Sequence, residues 1–216
     1  MHVIKVRNVH QALPDGIDYL LEHGKRQQSL KGEVLVAPEP VTTVYENPTE
    51  RIVFWPERDC NHVFHLMESI WMLFGRNDVA WIEQFNSRMR DFSDDGVTFH
   101  GAYGYRWRKH FDSDQISILL HLLTNKPHTR RAVLQMWDAN ADLDAHEEGL
   151  DKCCNTQALF SIEDDKLNMT VTNRSNDIIW GAYGANAVHF SVLQEYMAAK
   201  LGLEVGKYWQ ISNNFH

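Results

Sequence analysis

The fold of this 216-residue chain is decided by the stretch from Ala158 to Val171, which has the sequence ALFSIEDDKLNMTV. An apolar run leads into an acidic turn, Glu163-Asp164-Asp165, and after the turn Leu167, Met169 and Val171 alternate with polar residues. A period of two places alternate side chains on one buried face, so we expect strands at 158–162 and 166–171. The stretch therefore predicts a β-hairpin.

The segments on both sides of this hairpin extend the pattern to a mixed α+β fold. Short β-branched runs predict strands, and apolar residues three and four positions apart predict helices. With no repeat or linker in the sequence, we expect a single α+β domain over residues 1–216. The further predicted strands are 34–36, 41–45, 51–55, 132–137 and 208–211. The predicted helices are 62–74, 116–123 and 187–199, and a first helix from Gly16 runs into a basic loop before Leu30. A long loop is predicted at 91–104.

Composition and charge exclude several classes of protein. The longest nearly apolar run, 116–123, is far shorter than the ~20 residues of a membrane-spanning helix, so no membrane span is expected. A net charge of −8 opposes binding to nucleic acid, which depends on basic side chains. Met1–His10 lacks a secretory pattern, and three cysteines do not suggest a disulfide framework. We expect a cytoplasmic protein, in the host cytoplasm if it is viral.

Cysteine and arginine residues supply the candidate chemistry. Cys153 and Cys154 precede the hairpin, Arg174 follows it, and Arg130 and Arg131 precede an earlier predicted strand. Arginine favours the thiolate form of a neighbouring cysteine and binds phosphate through two parallel hydrogen bonds. Taken singly, each of these residues is more often structural.

The histidines and one carboxylate give weaker signals. His62 and His65 lie three residues apart in a predicted helix, but no further ligand follows at metal-site spacing, so no metal is expected. Glu68 falls on or close to the apolar face of the same helix, where burial favours the protonated form of a carboxyl group. The structural alternative for Glu68 is a solvated carboxylate on the helix surface.

Several motifs follow one another in chain order: Met67-Glu68-Ser69-Ile70-Trp71, Gly101-Ala102-Tyr103-Gly104, Arg130-Arg131, Cys154, Arg174-Ser175 with Asp177, Gly181 to Asn186, Gly202 to Gly206 and Asn214-Phe215-His216. Together these motifs resemble the thymidylate synthase superfamily. The resemblance covers most of the chain and implies a thymidylate synthase-like fold, with a mixed sheet packed against helices and a sheet face that forms a homodimer interface.

The resemblance implies catalytic roles for four residues. Cys154 corresponds to the nucleophile that adds to C6 of a pyrimidine nucleoside monophosphate, which lets C5 attack the methylene group of 5,10-methylenetetrahydrofolate. Glu68 and Tyr103 correspond to groups that order water for proton transfers. Asp177 corresponds to a residue that helps hold the base and the folate.

The resemblance also implies a set of substrate-binding residues. Arg26, in the predicted loop after the first helix, Arg174 and Ser175 would bind the phosphate. Arg130 and Arg131 correspond to arginines that the family lends across the dimer interface, so a homodimer with shared sites is expected. Asn186 would contact the N3 and C4 edge of the base, and His216 a ribose hydroxyl.

Some positions depart from ordinary thymidylate synthases. Asn155 stands where they have histidine, Phe85 to Arg90 replaces a Trp-rich segment over the folate, Asn214 replaces an acidic residue, and one residue is inserted before Asn186. These changes surround the base and the folate, while the phosphate-binding arginines are kept. The chain therefore most resembles the hydroxymethylase branch, in which water rather than hydride reaches the one-carbon unit.

Three functions stay open at this level. A cytidylate or deoxycytidylate 5-hydroxymethyltransferase is expected first, because the shifted Gly184-Ala185-Asn186 segment resembles that branch, although a neutral asparagine can bind cytosine or uracil by flipping its amide. The alternatives are a methyl-forming thymidylate synthase and a non-catalytic nucleotide-binding homologue. The family pattern places a folate-closing segment after the position of His216, so these 216 residues are expected to lack it.

Overall fold

The architecture is a six-stranded mixed sheet packed against helices, in a computed structural model that describes residues 1–29, 32–143, 149 and 151–216. The strands of the described part are β1 His2–Val6, β2 Lys25–Ser29, β3 Gly32–Val36, β4 Val41–Tyr45, β5 Val133–Gln135, β6 Asn155–Glu163, β7 Lys166–Asn173 and β8 Glu204–Ser212. Its helices are α1 Val9–His23, α2 His62–Leu73, α3 Val79–Ile82, α4 Tyr103–Tyr105, α5 Gln115–Asn125, α6 Ala139–Asp142 and α7 Asn186–Leu201, with 3₁₀ turns at Pro56–Arg58 and Ser87–Phe92 and π-type turns at Arg106–His110 and Ile178–Ala185.

The predicted hairpin is confirmed as β6 and β7 of the main sheet. Phe160 lies opposite Met169, and Glu163 lies opposite Lys166. Asp164 and Asp165 have φ angles of 49° and 58°, the left-handed conformation that a two-residue hairpin turn requires. The main sheet has the order β1-β4-β8-β7-β6-β5, in which β1 is parallel to β4, β7 is parallel to β8, and the other pairs are antiparallel.

Helix α7 packs against the main sheet, and helix α2 packs against α7. On the sheet, α7 contacts β7 and β8. Phe190 and Leu193 of α7 are fully buried, as are Leu167 and Tyr208 of the strands beneath it. Because α2 lies along α7, residues on their facing sides meet in the interior. The expected α+β class with a mixed sheet is confirmed.

The predicted strand at 51–55 is wrong. This segment forms no ladder with any strand of the described residues, and side-chain contacts hold it instead. Arg51 Nε donates a hydrogen bond to Ser191 Oγ at 2.9 Å, and Trp55 Nε1 donates to the carbonyl of His10 at 3.0 Å. The alternation of Ile52, Val53 and their neighbours therefore reflects an extended segment docked on helices rather than strand pairing.

The N-terminal region also differs from the prediction. The first helix begins at Val9, where the Asn8 side chain caps it by accepting from Gln11 N at 3.1 Å. The predicted basic loop is β2, which forms a separate two-stranded sheet with β3, so Arg26 lies on a strand; Leu30 lies outside the described residues. Both faces of β2 are largely exposed, so no alternation marks it in the sequence. β1 was not predicted at all.

The predicted loop at 91–104 is confirmed for residues 93–102. Its first residues, Asp91 and Phe92, close a 3₁₀ turn, and its last two, Tyr103 and Gly104, open α4. A Cβ on Gly104 would lie 2.0 Å from the carbonyl oxygen of Met72 on α2, so only glycine permits this close approach. No helix among the described residues is long and apolar enough to cross a membrane.

Candidate active site

The two adjacent cysteines have different surroundings. Cys153 is 1% exposed, its Sγ donates to the carbonyl of Gly101, and burial raises the pKa of this thiol to about 12. Cys154 is partly exposed, and its Sγ lies 3.9 Å from Nη2 of Arg174. Because a guanidinium stabilises a nearby thiolate, the geometry favours Cys154 over Cys153 as a nucleophile.

Arg174 is held in place by the hairpin. Its backbone N donates to the carbonyl of Cys154 at 2.9 Å, next to the last paired residues of β6 and β7. Its side chain donates from Nε to the carbonyl of Cys153 at 2.8 Å, and the guanidinium lies 5.4 Å from the centre of the Trp137 ring. These contacts fix the arginine beside the thiol.

Three predicted residues share a cleft, which we call the Arg174 cleft. Arg174, Ser175 and His216 line this cavity of about 440 Å³, together with residues of β2, β3 and the segment after β8. The Nδ1 atom of His216 is buried and has no hydrogen-bond partner among the described residues. A cleft with a guanidinium, a hydroxyl and an imidazole fits an anionic, hydroxyl-bearing ligand such as a sugar phosphate.

Three other predicted residues line a second cavity, which we call the Glu68 cavity. Glu68, Tyr103 and Asn186 face this space of about 230 Å³, and Trp71, Met89 and Phe92 form apolar walls. The Tyr103 hydroxyl accepts hydrogen bonds from the backbone N of Cys154 at 3.3 Å and of Asn155 at 3.4 Å. Burial raises the pKa of Tyr103 well above its usual value, which keeps the hydroxyl protonated. Cys154 therefore lies between the two cavities.

A chain of buried amides fixes the orientation of Asn186. Gln210 Nε2 donates to the carbonyl of Ala182, and its Oε1 accepts from Asn176 Nδ2. Asn176 Oδ1 then accepts from Asn186 Nδ2, and Asn186 Oδ1 accepts from Asn155 Nδ2, both at 3.0 Å. Because a carbonyl oxygen can only accept, the direction of every amide follows from the first bond. Asn186 is therefore not free to flip, and one N–H and one lone pair remain for a ligand.

The sequence did not identify Asn176 and Gln210 as members of the site. Both are buried polar residues, 1% exposed each. Their spacing from Asn186 in the sequence gives no signal, because the contact is made between the π-type turn at 178–185 and β8. Asn155 was noted in the sequence as a departure, and its Oδ1 is buried without a hydrogen-bond partner in the described part of the chain.

Five predicted residues do not line either cavity: Cys154, which contacts one lining residue of each, and four others that lie further away. Arg26 forms an ion pair with Glu33 across the β2–β3 hairpin and is not among the residues that line the Arg174 cleft. Asp177 caps the turn that follows it, and its Oδ1 accepts from the backbone N of Ile179 and of Trp180 at 2.8 Å. Arg130 and Arg131 are exposed before β5. Within one chain, these side chains are not joined to Cys154.

The fold and the site define a class: an α+β protein with a cysteine and an arginine at the end of a mixed sheet, between a cleft lined by an arginine and a cavity with apolar walls. The chain belongs to the thymidylate synthase family, whose sequence profile matches residues 15–216. Members of this family are one-carbon transferases that use 5,10-methylenetetrahydrofolate as the donor.

Individual relatives point to one branch of the family. A deoxyuridylate hydroxymethyltransferase of Pseudomonas phage M6 is 58% identical over 217 residues, which cover all of this chain and 61% of that protein. The deoxyuridylate hydroxymethyltransferase of Bacillus phage SP01 is 35% identical over 92% of this chain and 52% of its own length. A thymidylate synthase of Streptococcus gordonii is 32% identical over 64% of this chain and 54% of that protein. The chain thus spans about half to three fifths of these relatives, and the resemblance to the hydroxymethylase branch is confirmed.

Proposed function

We propose that this chain transfers a hydroxymethyl group from folate to C5 of deoxyuridylate. The observation that carries the proposal is the position of Cys154, whose Sγ lies 3.9 Å from Arg174 between the Arg174 cleft and the Glu68 cavity. The names of the two phage relatives support the reaction. Their phage origin also supports action in the cytoplasm of an infected host.

The proposed base is uracil rather than the cytosine favoured by the sequence. Uracil offers an N3–H donor and a C4 carbonyl acceptor, and Asn186 has one lone pair and one N–H left to match them. The fixed amide cannot reverse to suit cytosine, which offers the opposite pattern. The relatives named for deoxyuridylate support the same choice and the deoxyribose.

The Arg174 cleft is proposed to bind the sugar phosphate. Arg174 and Ser175 bind the phosphate, and His216 contacts the ribose. The Cys154 thiolate then forms a bond to C6, and the electron pair of the C5–C6 double bond moves toward C5 and the C4 oxygen. Arg26 is proposed as a further phosphate contact, as are Arg130 and Arg131 from a second subunit of a homodimer.

The Glu68 cavity is proposed to receive the folate. Its apolar walls, Trp71, Met89 and Phe92, suit a flat heterocycle, and Glu68 supplies a polar group at one side. When bound, 5,10-methylenetetrahydrofolate supplies the one-carbon unit. Asp177 is proposed to help hold the base and the folate from the turn that it caps.

Glu68 is proposed to act on the water that completes the product. Once C5 has bonded to the one-carbon unit, C5 loses its proton and the bond from that unit to tetrahydrofolate breaks, which leaves an exocyclic methylene group on C5. The water oxygen forms a bond to this methylene carbon, and the water proton passes to the Glu68 carboxylate. The electron pair displaced from the methylene double bond moves into the ring and re-forms the C5–C6 double bond as the C6–S bond breaks to release the Cys154 thiolate. Tyr103, held between Cys154 and the cavity, is proposed to order water for the proton transfer at C5.

Product mass tests the proposal. The chain is incubated with 5,10-methylenetetrahydrofolate and, separately, with dUMP, dCMP and CMP. We expect dUMP to gain one CH₂O unit, about 30 Da, with Cys154→Ser inactive but able to bind nucleotide and Cys153→Ser active. A gain on dCMP or CMP instead overturns the choice of base, and a methyl gain of about 14 Da with dihydrofolate overturns the choice of product. Nucleotide binding without any product indicates a non-catalytic homologue.

A further inference from the structure

A buried histidine, His189, and a partly buried one, His65, lie beside Glu68, and the proposed reaction gives neither of them a task. His189 of α7 is 4% exposed, and its Nε2 lies 2.9 Å from Oε2 of Glu68. The two atoms lie at donor–acceptor distance but are not aligned as a hydrogen bond, and neither has another hydrogen-bond partner in the described part of the chain. The Glu68 side chain is 15% exposed although its Oε2 atom is buried, so another part of this side chain is exposed. Glu68 is also one of the residues that line the Glu68 cavity.

His65 closes the cluster from the other side. It lies one turn before Glu68 on α2, with its ring centre 6.1 Å from that of His189. Burial, followed by repulsion from His189, lowers the pKa of His65 to about 4, so its ring is uncharged at neutral pH. One ligand atom from each of His65, Glu68 and His189 lies within 4.8 Å of the others.

We propose that His189 is a positioning residue for Glu68, an inference that rests on the proposed function. The imidazole of His189 holds Oε2, so that the second carboxylate oxygen faces the cavity and accepts the proton of the attacking water. The uncharged His65 ring fills the space behind Oε2 and keeps water away from it. Water therefore reaches the carboxylate from the cavity side, where the one-carbon unit lies.

The physical basis is the cost of a buried carboxylate. An ionised carboxylate without a partner loses its hydration on burial, whereas one N–H contact offsets much of this loss. A carboxylate that turned inward to satisfy both oxygens would be unable to take a proton from water in the cavity. His189 approaches one oxygen only, which suits a general base that must keep its second oxygen available.

The chemistry of the water step gives a selective test. Water needs a base when it attacks the one-carbon unit, but an added small thiol attacks as its own thiolate and needs none. The folate-free exchange of the C5 hydrogen of dUMP with D₂O depends on addition of Cys154 and not on this water step. The test therefore compares hydroxymethyl product, thioether product and C5 exchange in the same set of variants.

His189→Asn and His189→Gln are the informative pair. The glutamine amide N reaches close to the position of Nε2, whereas the asparagine amide N falls short of Glu68. We expect His189→Asn to lower the rate of hydroxymethyl formation about tenfold or more, with the thioether formed in its place and C5 exchange within about twofold of the parent protein. His189→Gln restores most of the hydroxymethyl product, and His62→Gln, at an exposed position of α2, serves as the control.

Each outcome bears on the proposal. Equal hydroxymethyl rates in His189→Asn and His189→Gln overturn the positioning role, as does a loss of C5 exchange that parallels the loss of product. A chelator that abolishes the activity, with recovery on addition of Zn²⁺, also overturns it, because the cluster is then a metal site. If the parent protein exchanges C5 hydrogen but makes no hydroxymethyl product, the proposed function has failed rather than the role of His189.

Discussion

At the scale of single residues, the site depends on which of two adjacent thiols faces the arginine. Successive side chains point to opposite sides as the chain enters β6, so Cys153 turns into the core and Cys154 turns toward Arg174. Burial raises the pKa of Cys153 to about 12, which leaves it protonated and unreactive. The thiols of Cys153 and Cys154 thus differ in reactivity because these neighbouring side chains point to opposite sides of the chain.

The stability of the protein is expected to report the burial of His65. Its pKa is about 4 when folded and ordinarily 6.5, so the unfolded chain binds more protons between these pH values. Stability is therefore retained above pH 6.5 and falls as the pH drops toward 4. Integration of the linkage relation gives a loss of about 2 kcal/mol from pH 7 to pH 5, measured by urea unfolding.

A histidine on the same helix provides the control for this prediction. His65→Leu removes the titration and flattens the pH dependence by about 2 kcal/mol, whereas the exposed His62→Leu keeps most of it, because it removes only a minor repulsion on the His65 ring. Arg58, His62, Glu68 and His189 also act on the His65 ring, so the comparison uses differences between variants. An identical pH dependence for the parent protein and His65→Leu would contradict the assignment.

At the scale of elements, the approach of α4 to α2 places Tyr103 beside Cys154. The contact is close because Gly104 has no side chain, and a Cβ there would meet the Met72 carbonyl oxygen at 2.0 Å. The buried pair formed by Arg106 Nη2 and Asp142 Oδ1 at 3.1 Å holds the turn that follows α4. The position of Tyr103 thus results from helix packing rather than from its own loop.

Gly104→Ala is expected to separate α4 from α2. Because the clash involves backbone, which cannot move aside cheaply, we expect a loss of about 3 kcal/mol of unfolding free energy in urea, and a weaker affinity for nucleotide in the folded fraction. Gly202→Ala is the matched control, since φ is 69° there and no atom lies within 4 Å of the added Cβ. This control should lose only about 1 kcal/mol. Equal losses in both variants would show that the close contact is not needed.

At the scale of the whole molecule, the mixed sheet gathers residues from distant parts of the chain around one thiol. β7 lies between β6 and β8, so Cys154 before β6, Arg174 after β7 and His216 after β8 all lie at the same end of the sheet. α2 contributes Glu68 from the other side through its packing on α7. Arg130 and Arg131 are outside this arrangement, which is why their proposed role needs a second subunit.

Mixed dimers test the proposed sharing of sites. Arg131→Ala should raise the KM for nucleotide, and Cys154→Ser should abolish turnover. When the two variants are unfolded together and refolded in equal amounts, half of the dimers are mixed, and each of these has one intact site. The expected activity at low nucleotide concentration is about a quarter of that of the parent protein. Activity no higher than that of the unmixed variants, in a preparation shown to contain mixed dimers, would rule out shared sites.

The sequence by itself determined the hairpin at 158–171, the main helices and the family, because these depend on local periodicity and on ordered motifs. It also identified Cys154, Arg174, Ser175 and His216, which the structure brings to adjacent positions. It did not determine β1, which is only five residues long and has the apolar Val3 on its exposed face, or β2, which is exposed on both faces. The error at 51–55 has the related cause that an extended segment and a paired strand share the same pattern.

Only the tertiary structure decided the relations between side chains that are far apart in sequence. The amide chain from Gln210 to Asn155 and the pairing of Glu68 with His189 both join separate elements. Which side chains pair in these two contacts depends on the packing of β8 near the turn at 178–185 and on the packing of α7 against α2. Hydrogen-bond direction and burial arise from this packing, so no local spacing in the sequence encodes them.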